Sequence, residues 1–137
     1  MARIICIDYG GKRTGIAVTD PLKIIATALT TIPSKELITF LQAYCKKETV
    51  ELILIGEPLN LDDTPTHATP LVAAAVKQLA KAFPSIPIKK VDEQYTSKMA
   101  VQAMVAMGMK KKDRRVKGNV DQIAATIMLQ TYMESIQ

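Results

Sequence analysis

The chain has no tryptophan and only two phenylalanines, so aliphatic side chains and methionine must fill its core. Histidine occurs once, at His67, and cysteine twice, at Cys6 and Cys45, in no CxxC pair. That scarcity rules out a zinc site built from cysteine and histidine. It also leaves no disulfide framework, which fits a reducing compartment. Cys6 lies inside an apolar run and reads as a small buried hydrophobe. No apolar run reaches the ~20 residues of a membrane span, so no membrane partner is expected. The N-terminus shows no basic region leading into an apolar stretch and a cleavage site; we read no export signal and expect a cytoplasmic protein. Repeats and low-complexity segments are missing too. Residues 1–137 therefore read as one domain, long enough for one sizeable core.

Charge is uneven. The net charge is +5, but the window from Lys98 to Lys117 holds seven basic residues against one acid, Asp113. The rest of the chain is close to neutral. A basic run of this kind (Lys110, Lys111, Lys112, Arg114, Arg115, Lys117) reads as a loop that grips a nucleic-acid backbone through salt-sensitive contacts independent of base sequence.

Hydrophobic periodicity orders the chain. Arg3 to Asp8 is a short apolar strand, Gly10-Gly11 a turn, and Thr14 to Thr19 a second strand that Asp20-Pro21 breaks. Ile24 to Ile32 reads as a third strand, completing an antiparallel meander. Ser34 is placed to cap a helix carrying Leu37, Ile38, Leu41 and Tyr44. Leu52 to Ile55 is a fourth strand, Leu71 to Phe83 an alanine-rich helix, and Ile88 to Val91 a fifth strand. Thr96 or Ser97 caps a helix to about Met107, and Asn119 caps a last helix over Val120 to Ser135. Strands four and five arrive through helical crossovers and should run parallel to strand one. The expected fold is α/β: a mixed five-stranded sheet with helices on both faces.

Ligands of such sheets sit beyond the carboxyl ends of the parallel strands. Three strand ends carry acids here: Asp8, Glu57, and Asp92 with Glu93. Asp121 lies in the expected first turn of the final helix. Each acid alone has a structural explanation, as a turn former or as a partner for a helix dipole. Together they would repel unless a cation joined them, and hard carboxylate oxygens favour Mg²⁺ or Mn²⁺. Two such ions suit phosphodiester hydrolysis. Lys12 and Arg13, just after the Gly10-Gly11 turn, are placed to meet a phosphate.

The run Asp8-Tyr9-Gly10-Gly11-Lys12-Arg13-Thr14-Gly15-Ile16-Ala17 resembles the opening motif of the YqgF family, also called RuvX. Gly56-Glu57-Pro58-Leu59-Asn60, Asp92-Glu93-Gln94-Tyr95-Thr96-Ser97 and Asp121-Gln122-Ile123-Ala124-Ala125 resemble its later motifs, in family order and over nearly the whole chain. That resemblance implies a ribonuclease H-like fold and an acidic site at Asp8, Glu93 and Asp121, with Asp92 and Glu57 as further possible ligands. It also implies nuclease action on precursor 16S ribosomal RNA or on Holliday junctions. Three positions depart from the family pattern. Glu57 stands where an apolar residue is usual, Gln94 where an arginine is usual, and Leu61-Asp62-Asp63 where Met-Asp-Gly is usual. Losing the arginine removes a phosphate contact.

Three readings follow. The first is a metal-dependent endonuclease on structured RNA, acting as a monomer or weak homodimer. The second is a resolvase of four-way DNA, which would act as a symmetric dimer. The third is a non-catalytic RNA-binding factor of ribosome assembly that keeps the fold.

Overall fold

The computed structural model of the chain describes residues 2–57, 69–92 and 117–136, of which 57, 69, 92 and 117–122 are described in backbone only. Strand β1 (Arg3–Tyr9) lies at the centre of a five-stranded sheet. It pairs antiparallel with β2 (Arg13–Thr19), and β2 pairs antiparallel with β3 (Ala26–Pro33) at one edge. On its other side β1 pairs parallel with β4 (Val50–Glu57), and β4 with β5 (Ile88–Asp92), giving the order β3-β2-β1-β4-β5. A 3₁₀ turn (Ser34–Glu36) and helix α1 (Leu37–Lys47) join β3 to β4. Helix α2 (Thr69–Ala82) lies between β4 and β5 in the chain, and α3 (Lys117–Ser135) follows β5. The mixed sheet, its strand directions and the helices on both faces are as the sequence predicts.

Strand alternation sorts the core into two layers. Ile5, Ile7, Val18, Ile53 and Ile55 point to the face covered by α1 and α2, where Leu37, Leu41, Val72, Ala75 and Leu79 meet them. Ile4, Cys6, Ala17 and Leu54 point to the other face and meet Ala125, Met128, Leu129 and Met133 of α3. Leu37 and Leu41 stand one helical turn apart, as do Ala125 and Leu129, so each helix presents a single apolar row. The shortage of aromatics is thus met by isoleucine, leucine and methionine. Among the described residues, no helix is long and apolar enough to cross a membrane.

Three local expectations give way. Ser34 caps nothing: neither the 3₁₀ turn nor α1 has a side-chain cap, and the Ser34 hydroxyl is committed elsewhere. The third strand begins at Ala26 instead of Ile24, because Asp20 gathers the backbone N–H groups of Leu22, Ile24 and Ile25 into a loop. Finally, α3 begins at Lys117, so Asn119 lies inside the helix and Asp121 in its second turn. The expected helix from Thr96 to Met107 lies outside the described residues.

Candidate active site

Asp8 is the sixth residue of the central strand and is half-buried. Its neighbour on β2 is Gly15, and Ile7 pairs with Ile55 on β4, which sets Asp8 level with Gly56. Both strand neighbours of Asp8 therefore lack side chains. Glycine inside a strand marks a place where a ligand or another backbone comes close. Asp8 shares the alternation of Ile4 and Cys6, so it belongs to the α3 face of the sheet.

Helix α3 approaches this face. Position 121 is one turn before Ala125 and continues the row of Ala125 and Leu129, which packs on the sheet. With α3 starting at Lys117, position 121 lies beyond the first turn, where the pull of the helix dipole on an acid has largely faded. The structural explanation for Asp121 is weaker than the sequence implied. Lys117, the last member of the basic run, already lies in this helix and not in a loop.

The other strand-end acids occupy a different register. Glu57 pairs with Asp92, and alternation from Ile53 and Ile55 assigns position 57 to the α1/α2 face. Position 92 follows with its partner. Acids at neighbouring strand ends therefore do not all belong to one face: 8 and 121 go together, 57 and 92 go together. Glu93, Lys110, Lys111, Lys112, Arg114 and Arg115 lie outside the described residues. Among the described residues, no three His, Cys, Asp or Glu side chains form a metal-binding group.

The turn after Asp8 is tightly built. A Cβ added at Gly10 would come 2.6 Å from the Arg13 carbonyl oxygen, whereas one at Gly11 would rest 3.7 Å from a Leu71 methyl. Ser34 holds this turn from outside. Its hydroxyl donates to the Gly10 carbonyl, and its backbone N–H donates to the Lys12 carbonyl at 2.9 Å. Thr14, fully buried, stands 2.8 Å from the same hydroxyl. Lys12 is exposed and Arg13 half-buried. Ser34 and Thr14 are part of the site's construction that sequence reasoning missed. They are twenty residues apart and carry no local signature; only the β2–β3 pairing, Thr14 against Ile32, brings them together.

Comparison with known proteins bears on this site. The protein-family profile described as "RuvX: Holliday junction resolvase" matches residues 2–135. A Christiangramia forsetii protein named "Putative pre-16S rRNA nuclease" is 54% identical over 133 residues, covering 97% of this chain and 98% of the relative. Proteins of the same name from Flavobacterium johnsoniae and Bacteroides thetaiotaomicron are 50% and 49% identical over 135 residues, covering 98% of both chains in each case. Among solved structures, T. thermophilus RuvC in complex with a Holliday junction substrate superposes with a TM-score of 0.55 at 14% identity, over 98% of each chain. That likeness makes the fold ribonuclease H-like.

Proposed function

The chain belongs to the RuvX family, and from that premise we propose that it is a metal-dependent endonuclease that processes the 5′ end of precursor 16S ribosomal RNA. The reading rests above all on Asp8, which lies near the end of the central strand between two glycines on the face where α3 packs. Near-full-length relatives named "Putative pre-16S rRNA nuclease" support precursor 16S RNA as the substrate. Ribosomal precursors are made and trimmed in the cytoplasm, where we accordingly assign the protein.

Asp8, Glu93 and Asp121 form the proposed ligand set; Asp92 and Glu57, whose positions belong to the opposite face of the sheet, would assist only from its edge. The donors fit the ion: carboxylate oxygens are hard ligands suited to Mg²⁺ or Mn²⁺ and poor for softer metals. A divalent ion held there would supply Lewis acidity and an acidified water. The protein's own groups do the rest. Gly15 and Gly56 would let a sugar-phosphate backbone approach the central strand, because neither cross-strand neighbour of Asp8 carries a side chain. Lys12 and Arg13 after the Gly10-Gly11 turn, together with Lys110, Lys111, Lys112, Arg114, Arg115 and Lys117 of the basic run, would hold phosphates without reading bases.

The family profile's description favours a second reading, cleavage of four-way DNA. One assay separates the two. Purified protein is offered precursor 16S RNA and a four-way DNA junction, each with Mg²⁺ or Mn²⁺, beside Asp8→Asn. Cutting of the RNA alone supports the proposal, and paired cuts in the junction by a dimer support the alternative. Equal activity in Asp8→Asn refutes the carboxylate mechanism for both.

A further inference from the structure

The strand end that carries Asp8 is followed at once by a turn whose two carbonyls are both bound by one residue from a distant segment. Ser34 donates its hydroxyl proton to the Gly10 carbonyl and its backbone N–H to the Lys12 carbonyl. A serine hydroxyl has one proton, and that proton is spent on Gly10. The Thr14 hydroxyl must therefore donate to Ser34 across their 2.8 Å contact. The result is a one-way relay, Thr14 to Ser34 to Gly10. Thr14 is fully buried and Ser34 nearly so, which shields the relay from competing water.

We infer that Ser34 and Thr14 are positioning residues for nucleic-acid binding: they fix the Gly10–Arg13 turn, which follows the strand carrying Asp8, so that the exposed Lys12 is presented to meet a phosphate. Three observations carry this. Both bonds from Ser34 end on the turn and none on α1, the helix it precedes. Gly10 already packs against Arg13 so closely that a Cβ would not fit, so the turn has one shape to hold. Lys12, whose carbonyl is fixed, keeps its side chain exposed. A flexible lysine loses entropy on gripping a phosphate, and a fixed backbone lowers that cost. The inference rests on the nuclease reading for its ligand, though it concerns binding, not cutting.

The test measures binding of a labelled RNA hairpin and a labelled four-way DNA junction in EDTA, where no cleavage occurs, across a salt series. Compared are wild type, Ser34→Ala, Thr14→Val, Lys12→Ala and the double variant Lys12→Ala/Ser34→Ala. Losing one phosphate contact should lower the slope of log K against log salt by about one. Ser34→Ala and Thr14→Val are expected to show that lowered slope and roughly two- to tenfold weaker binding. The double variant should bind no more weakly than Lys12→Ala alone, because both changes remove the same contact. Thr14→Ser, which keeps the hydroxyl, should restore the wild-type slope and guards against loss of fold in Thr14→Val. Wild-type slopes in both hydroxyl-deleted variants, or full additivity in the double variant, overturn the inference. Salt-independent binding, or none, by wild type overturns it as well. A protein that binds with the expected slopes and cuts nothing leaves the inference standing while the nuclease reading falls.

Discussion

Gly10→Ala and Gly11→Ala should change stability in opposite directions, although the two glycines are adjacent and exchange the same atoms. Alanine removes backbone freedom from the unfolded chain, which by itself stabilises by about 0.4–1 kcal/mol where the native conformation tolerates it. At Gly11 the new methyl would lie 3.7 Å from the Leu71 side chain, an ordinary contact, so that gain should survive. At Gly10 the methyl would lie 2.6 Å from the Arg13 carbonyl oxygen, far inside contact distance, and what it meets is backbone. The turn cannot swing away freely, because Ser34 holds the Gly10 and Lys12 carbonyls. Overpacking of this kind costs about 1–3 kcal/mol, which leaves a net loss of about 1–2 kcal/mol after the entropic gain. With an unfolding entropy of ~2.1 cal/mol/K per residue over 137 residues, that loss lowers Tm by roughly 3–7 °C. Thermal unfolding followed by circular dichroism measures both variants against wild type. Equal or raised Tm in Gly10→Ala would refute the reasoning, since it would mean the Ser34 clamp does not hold the turn in place.

Other outcomes are equally open to measurement. Leu129→Ala, at a fully buried site under the α3 face, should cost about 2–5 kcal/mol, read as a lowered denaturant midpoint with an unchanged m value. Asp20 has its pKa held below the ordinary 3.8, first by the Ile25 N–H and also by those of Ile24 and Leu22. Since the folded value is the lower one, the loop's stabilisation is fully present above about 3.8 and fades as pH falls through the folded value. An acid titration of the Leu22, Ile24 and Ile25 amide shifts should show release only in that window. Among the acids, Asp8→Asn and Asp121→Asn should abolish metal-dependent cleavage, while Glu57→Gln should reduce it less; an equal loss in all three would contradict the division of the acids between faces.

Much of this was legible in the sequence, for identifiable reasons. Continuous apolar runs such as Ile4 to Ile7 and Leu52 to Ile55 mark strands buried on both faces, and helical segments between them force parallel pairing. Boundaries were less legible wherever a side chain chose a distant partner over a local one. Ser34 precedes a helix and has every local property of a cap, yet its hydroxyl is drawn to Gly10, twenty-four residues back. Ile24 and Ile25 read as strand by composition, but the Asp20 carboxylate collects their N–H groups into a loop and leaves both side chains exposed. Leu29 is an extra residue in β3, where the register with β2 shifts between Ile16 and Ala17; no pattern of period two announces such a bulge.

The candidate site shows the same division between what a pattern reveals and what pairing decides. Strand ends locate acids along the chain, and on that basis Asp8, Glu57 and Asp92 look equivalent. Pairing register breaks the equivalence, because one residue of offset moves a side chain to the opposite face. Ile7 pairs with Ile55, so the residue level with Asp8 is Gly56, and Glu57 is one step further and on the other face. The acid best matched to Asp8 among these therefore comes from no strand at all. It is Asp121, on the helix row that continues Ala125 and Leu129 over the face Asp8 shares. The spacing between backbone positions 8 and 121 is set by the α3 core, Met128 and Leu129 against Cys6 and Leu54, and not by a loop. That core should accordingly matter twice, once for stability and once for the spacing on which the proposed ion binding would depend.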